Sequence, residues 1–173
     1  MRQAAWRVST VTSLVLAGSL LAACSSHDDA QGASPNLGVG GAEGEEVACT
    51  DDPRVDAFEE GLRKTGPADV TVELVSSDPE PPARGDNVWQ LKLSDSSGEP
   101  MSAVQLVVAA HMPDHGHMSP STPEATPTDD EGRTTVSGLD LFMPGVWLVD
   151  VGLPQAGSNK PLVIASFTFC VEG

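Results

Sequence analysis

Three of the four histidines in this 173-residue chain, and two of its five methionines, lie within residues 111–118, which read HMPDHGHM. Imidazole nitrogen and thioether sulfur are together a ligand set that suits copper, above all the soft Cu(I) ion. Zinc favours histidine, cysteine and carboxylate ligands, and calcium needs more oxygen ligands than Asp114 alone supplies. Histidine side chains are largely neutral near pH 7, so their nitrogens are available to a metal. The segment therefore predicts a copper site, with Cu(I) as the favoured ion.

Six side chains are the candidate metal ligands: His115, His117, Met112, Met118, Met143 and His111. His115 and His117 are two positions apart, so in a locally extended chain both side chains point the same way. Pro113 fixes the approach to them, and Gly116 between them permits a tight backbone. The segment also opens a connection of about twenty residues, from Met112 to Gly132, and connections of that length are usually functional or disordered.

Ordinary structural roles remain open for these residues. His111 ends an apolar run, so it is also suited to a hydrogen-bonded position in a strand or at its edge. Met112 and Met143 are suited to filling core space, since methionine adapts to irregular gaps. His115 and His117 could instead brace the loop through hydrogen bonds from imidazole to backbone carbonyl groups.

The spacing of apolar residues predicts the strands that must position this segment. The predicted strands cover residues 70–74, 89–93, 104–110, 133–137, 147–151 and 162–171. Most alternate apolar and polar side chains, but residues 104–110 are nearly all apolar, as in a strand buried on both faces. Trp89 and Trp147 are predicted to lie in the core. Six or seven short strands without long helices between them indicate an all-β chain folded as an antiparallel β-sandwich.

One short helix is predicted ahead of these strands. Asp52-Pro53 is a typical helix start, with an N-cap aspartate and a proline at the first helical position. The apolar residues at positions 55, 58 and 62 share one face of such a helix, and Gly66-Pro67 would end it. We expect this helix to pack on the sandwich.

The amino-terminal sequence is typical of an export signal. Arg2 and Arg7 precede the mostly apolar residues 8–23, a stretch too short to span a membrane comfortably. The stretch leads into Leu21-Ala-Ala-Cys24, which resembles the lipobox of bacterial lipoproteins. The resemblance implies a signal peptide over residues 1–23 and acylation of Cys24, for example with palmitate, so that the protein is anchored to a membrane. In a Gram-negative cell Ser25 favours the periplasmic side of the outer membrane; the alternative is an ordinary secretory signal cleaved nearby.

Residues 24–48 and the remaining cysteines define the mature chain. Residues 24–48 are rich in glycine, alanine, serine and acidic residues, which predicts a flexible tether. Once Cys24 is acylated, Cys49 and Cys170 form an even pair, and in an exported protein such a pair is most simply a disulfide. The alternative, a redox-active or metal-binding thiolate pair, lacks Cys-x-x-Cys spacing. The folded domain is therefore predicted over residues 49–173.

Charge and composition exclude several functions. The formal net charge of −16 is opposite to what binding a phosphate backbone requires, and the chain has no tyrosine and few other aromatic residues for stacking bases. We therefore expect no nucleic-acid partner. No serine, histidine and acid arrangement matches a catalytic triad, and the sequence contains no glycine-rich phosphate loop. An enzyme is not expected.

Two motifs, in order, resemble a known family. The first is Met112-Pro-x-His-Gly-His117, and the second is Gly138-Leu-x-Leu-Phe-Met-Pro-Gly-x-Trp147. Together with the upstream strand that begins at Trp89, they resemble the YtkA-like domain, which is also met in FixH-like proteins. The resemblance covers roughly residues 67–153. Met118 departs from it, since many relatives carry a second glycine there, and this adds a soft ligand.

The resemblance implies a fold and a function. It implies a small immunoglobulin-like sandwich outside the cytoplasmic membrane, with links to copper handling and to cytochrome oxidase assembly. The expected function is then a lipid-anchored envelope protein that binds copper as a carrier or chaperone and passes it to an acceptor protein. The alternative is an interaction module without a metal that docks to another envelope protein.

Overall fold

The computed structural model describes Cys49 and residues 51–173. The predicted signal peptide over residues 1–23, the acylated Cys24 and the tether over residues 24–48 lie outside the described residues. Within the described part, no helix is long and apolar enough to cross a membrane.

The described residues form nine strands in two antiparallel sheets. The strands are β1 (Leu62–Thr65), β2 (Thr71–Asp78), β3 (Gly85–Ser94), β4 (Val107–Met112), β5 (His117–Met118), β6 (Glu124–Ala125), β7 (Arg133–Leu141), β8 (Gly145–Leu153) and β9 (Leu162–Val171). One sheet has the order β1-β2-β3-β7-β6, and the other has the order β5-β4-β8-β9. Buried residues from both sheets form one core, so the fold agrees with the predicted all-β sandwich, although it has more strands than expected.

Alternating burial in the central strands produces this core. In β3 every second residue from Asn87 to Leu93 is buried, as the predicted period of two requires. Trp89 and Trp147 are fully buried, as predicted, and Trp89 makes edge-on contacts with two phenylalanines, Phe167 and Phe169. The ring centroids in these contacts are 5.9 and 5.6 Å apart.

The strand predicted over residues 104–110 is only partly correct. The regular strand β4 begins at Val107, and its burial alternates instead of covering both faces. Val108, Ala110 and Met112 face the core, whereas Val107 is 38% exposed. The outer face of this sheet is open at Val107, so an apolar residue there does not indicate burial.

The predicted helix is wrong. Residues 54–59 are irregular, and Leu62–Thr65 is the edge strand β1, paired with β2. Gly61 has φ +78°, a left-handed conformation that a right-handed helix cannot contain. Asp56 pairs with β9 instead: its amide donates to the Thr168 carbonyl at 2.8 Å, and its carboxylate accepts from the Thr168 amide at 2.9 Å. A helix this short is marginal by itself, so these tertiary contacts decide the conformation.

A disulfide joins Cys49 to Cys170, as predicted. The two cysteines are 121 residues apart, and Cys170 lies in β9. The bond therefore fixes the start of the domain to its last strand.

Candidate metal centre

The histidine- and methionine-rich segment is a tight hairpin of β4 and β5. Met112 ends β4 and His117 begins β5, so only residues 113–116 form the turn. The Gly116 amide donates to the Met112 carbonyl at 2.9 Å, and Gly116 has φ +65°, which glycine adopts readily. The expected connection of about twenty residues is consequently divided by β5 and β6 and is not one long loop.

The register of the hairpin separates the candidate ligands onto two faces. Met112 lies opposite His117, and His111 lies opposite Met118. Opposed residues share a face of a sheet, and consecutive residues point to opposite faces. Met112 is fully buried, so the Met112–His117 pair is on the core side. The His111–Met118 pair is therefore on the outer side of the same hairpin.

On the core side, His115 and His117 lie beside each other near Met112. The two imidazole rings are nearly parallel, at 15°, with centroids 6.1 Å apart. A Cβ atom placed on Gly145 would lie 2.6 Å from Met112 Cε and 4.0 Å from His115 Nε2. The thioether methyl group and one imidazole nitrogen thus meet over the backbone of Gly145. In the sequence Gly145 stands out only as part of the second motif, and nothing local signals this role beside Met112 and His115.

The connection between β7 and β8 forms an aromatic wall on one side of the histidines. The ring of His117 meets Phe142 edge-on with centroids 6.3 Å apart, and Phe142 meets Trp147 in the same way at 5.6 Å. The Trp147 Nε1 group donates to the Met143 carbonyl at 2.9 Å, and Arg84 Nε donates to the Phe142 carbonyl at 3.0 Å. These bonds fix the backbone that presents Phe142 to His117.

Met143 lies in the connection between β7 and β8, two residues before Gly145. It is half-buried and packs against the hydrophobic core. Its carbonyl group, and not its sulfur, makes the contact that supports the aromatic wall. The alternative role considered for Met143, that of a core residue, is the one that these contacts favour.

A charged cluster ties the turn to the segment after Cys49. The guanidinium of Arg54 donates two bonds to Asp114, at 2.8 and 2.7 Å, and also bonds Asp52. Hydrogen bonding to Arg54 holds the pKa of Asp114 below its usual range and lowers the pKa of Asp52 to about 2. Asp114 is therefore a carboxylate beside His115 at neutral pH. Arg54 is 60 residues from Asp114, so no local pattern could have predicted this contact.

A comparison with protein-family models matches the part of the chain just described. The YtkA-like family model matches residues 64–152, about half of the sequence, including the hairpin and Gly145. This chain belongs to the YtkA-like family. The match agrees with the resemblance predicted over roughly residues 67–153. Comparison with curated proteins and comparison with solved structures each find no match.

The side chains of this YtkA-like domain fit copper better than zinc. Within the described residues, no group of three or more His, Cys, Asp or Glu side chains is placed to hold a metal ion, whereas zinc usually takes three or four such ligands. Two imidazoles and a thioether are the groups brought together, and copper accepts both. A metal bonded to two imidazoles at about 2.0–2.1 Å each holds their nitrogens no more than about 4 Å apart. The two rings are nearly parallel with centroids 6.1 Å apart, so rotation of these exposed side chains is needed to point one nitrogen of each at a single ion.

Proposed function

We propose that this chain is a lipid-anchored envelope protein whose YtkA-like domain binds copper, as Cu(I), and carries it to an acceptor protein. The observation that carries the proposal is that Met112 and His115 both lie close to Gly145, and that His117 lies beside His115 and opposite Met112 in the hairpin. Two imidazoles and one thioether provide the soft and borderline ligands that Cu(I) prefers.

Each side chain of this inner site has a distinct role. His115 and His117 are exposed and provide nitrogen ligands that incoming copper can reach. Met112 is fully buried and provides sulfur from the core side. The Asp114 carboxylate next to His115 is paired with Arg54, and with Asp52 the cluster keeps one net negative charge, which favours a cation weakly at this exposed position. Phe142 limits the access of water on one side of His117.

A carrier or chaperone role agrees with the exposure of this site better than an enzymatic role does. Because both imidazoles are at the surface, an acceptor protein can approach and replace them one at a time as ligands. The net charge of −16 attracts cations to the whole molecule. Acylation of Cys24 would place the domain at the membrane, on the periplasmic side of the outer membrane in a Gram-negative cell.

The test is a competition titration with Cu(I). The full chain, in detergent micelles and with ascorbate to keep copper reduced, is titrated against a coloured Cu(I) chelator. We expect one tightly held Cu(I), and a loss of affinity of at least about 100-fold in the H115A/H117A variant. The matched control is H27A, which removes the one histidine outside the hairpin and should leave the affinity unchanged.

Unchanged affinity in H115A/H117A would contradict the proposal. A metal-independent complex with another envelope protein would then support the alternative function, an interaction module.

A further inference from the structure

We infer that the outer face of the β4–β5 hairpin carries a second site for a soft monovalent cation, made by His111 and Met118. The inner site described above uses Met112, His115 and His117. The inference rests on the proposed function for its biological use, since a second site on the same hairpin provides a surface position where Cu(I) is taken up or released. Its chemistry is independent of the inner site.

Register places the two outer side chains together. His111 and Met118 are directly opposed in an antiparallel pair, and opposed Cβ atoms are about 4.5–5.5 Å apart. An imidazole and a flexible thioether that start at this separation can both reach one ion. On the neighbouring strand β8, Leu148 lies opposite His111, so the pair has an apolar neighbour on one side and the sheet edge on the other.

The hairpin backbone keeps the two pairs apart. Met112 and His117 point to the core side, whereas His111 and Met118 point to the outer side. A single ion cannot reach side chains on both faces through the hydrogen-bonded backbone. The six ligands proposed from the sequence therefore do not form one cluster.

The exposure of Met118 has no packing explanation. Met118 is 61% exposed, the most exposed of the large hydrophobic side chains in the described residues. Exposing an apolar side chain at a sheet edge forgoes the stabilisation of burying it. Its sulfur is accessible to solvent, and the nearest opposed side chain is the half-buried imidazole of His111.

The ligand set determines which ion this outer pair accepts. Thioether sulfur with imidazole nitrogen suits soft ions such as Cu(I), and Ag(I) has similar softness. Both ions form two-coordinate complexes, so two ligands are sufficient. The outer pair has one ligand fewer than the inner site and more contact with water, so its affinity for the ion should be lower. We therefore expect the outer pair to bind its ion after the inner site is occupied.

The test uses Ag(I), which stays monovalent, and methionine methyl groups labelled with carbon-13. The full chain in detergent micelles is titrated while the methyl resonances of Met112 and Met118 are followed. We expect the Met112 resonance to move with the first equivalent and the Met118 resonance with the second. The variant M118L should bind one equivalent instead of two and leave the first step unchanged. The matched control M101L, which changes a methionine outside the hairpin, should keep both steps.

Two results would overturn this inference: the Met118 resonance moving together with that of Met112 in one step, or failing to move at all. The H115A/H117A variant separates the inference from the proposed function. If it loses only the first step, both are supported. If Met112 never responds in the wild-type chain while Met118 does, the inner site is contradicted and the outer site stands.

Discussion

The backbone of Gly145 lies directly beside the Met112 methyl group and the Nε2 atom of His115. Gly145 has φ +131°, a conformation that side chains of L residues rarely adopt, so both its backbone and the space above it require glycine. The absence of a side chain at Gly145 thus leaves room for the Met112 methyl group and brings no Cβ atom closer to His115.

The substitution Gly145→Ala tests this role at the level of one residue. Its Cβ atom would fall 2.6 Å from Met112 Cε, so the end of the Met112 side chain would have to move, and the alanine would also have to adopt φ +131°. We expect the free energy of unfolding to fall by more than about 1 kcal/mol and the Cu(I) affinity to fall with it. Urea denaturation followed by tryptophan fluorescence measures the first effect, and chelator competition measures the second.

Gly157→Ala is the matched control for that experiment. Gly157 also has a positive φ, +76°, but nothing lies within 4 Å of the position of its Cβ atom. Its φ is closer to the left-handed region that L residues can adopt, so we expect Gly157→Ala to cost less stability than Gly145→Ala and to leave the Cu(I) affinity unchanged. An equal loss of stability in the two variants, with unchanged Cu(I) affinity in both, would show that contact with Met112 does not matter.

At the scale of elements, Arg54 connects the irregular segment after Cys49 to the β4–β5 turn. It bonds Asp52 in its own segment and Asp114 in the turn. All three side chains reach solvent, so the contribution to stability is small and is reduced further by salt. Arg54 instead holds the turn in position, because it joins two segments that are not paired as strands.

The pH dependence of stability tests this connection. The pKa of Asp52 is lowered from 3.8 to about 2, mainly by the hydrogen bond from Arg54, and the pKa of Asp114 is lowered by the same partner. Because the pKa of each carboxyl group is lower in the folded state, the stabilisation of the fold by these two ion pairs is complete above about pH 4. It is lost as the pH falls towards 2. We therefore expect the stability difference between wild type and Arg54→Gln to shrink between pH 4 and pH 2. Unfolding measured at several pH values at low salt checks this, and a constant difference would contradict it.

The elements also show what local patterns could predict. Strand β3 was predicted because its burial alternates, with one face of the strand in the core. The helix prediction failed because Asp56 and Thr168, 112 residues apart, bond each other, and spacing within one segment carries no information about such contacts.

In the candidate site, too, local features were predictable from the sequence and contacts between distant segments were not. The ligand types, the turn at Gly116 and the pair His115 and His117 are local features, so the sequence was sufficient to select them. The separation of Met112 from Met118 depends on the register of the hairpin. The parts played by Arg54 and Gly145 depend on how distant segments pack, so they appeared only in the structure.

At the scale of the whole domain described by the structure, a disulfide-closed sandwich presents a hairpin that carries the candidate metal ligands. The core of both sheets and the Cys49–Cys170 bond hold the framework, and the hairpin turn projects exposed imidazoles from it. A carrier needs both properties, because a rigid framework orders the ligands and exposure allows exchange with an acceptor. The net negative charge would attract cations to the domain. The proposed lipid anchor would keep the domain close to the membrane.

X-ray absorption of the full chain loaded with one equivalent of Cu(I) tests the central claim most directly. We predict that copper has imidazole nitrogen and thioether sulfur neighbours in the Met118→Leu variant, which lacks the sulfur of the outer pair, and that the sulfur signal disappears when Met112→Leu is added. That change conserves volume, so the core should remain folded. In the Met118→Leu background, copper surrounded only by nitrogen and oxygen, or a sulfur signal that persists after Met112→Leu is added, would contradict the assignment of the inner site.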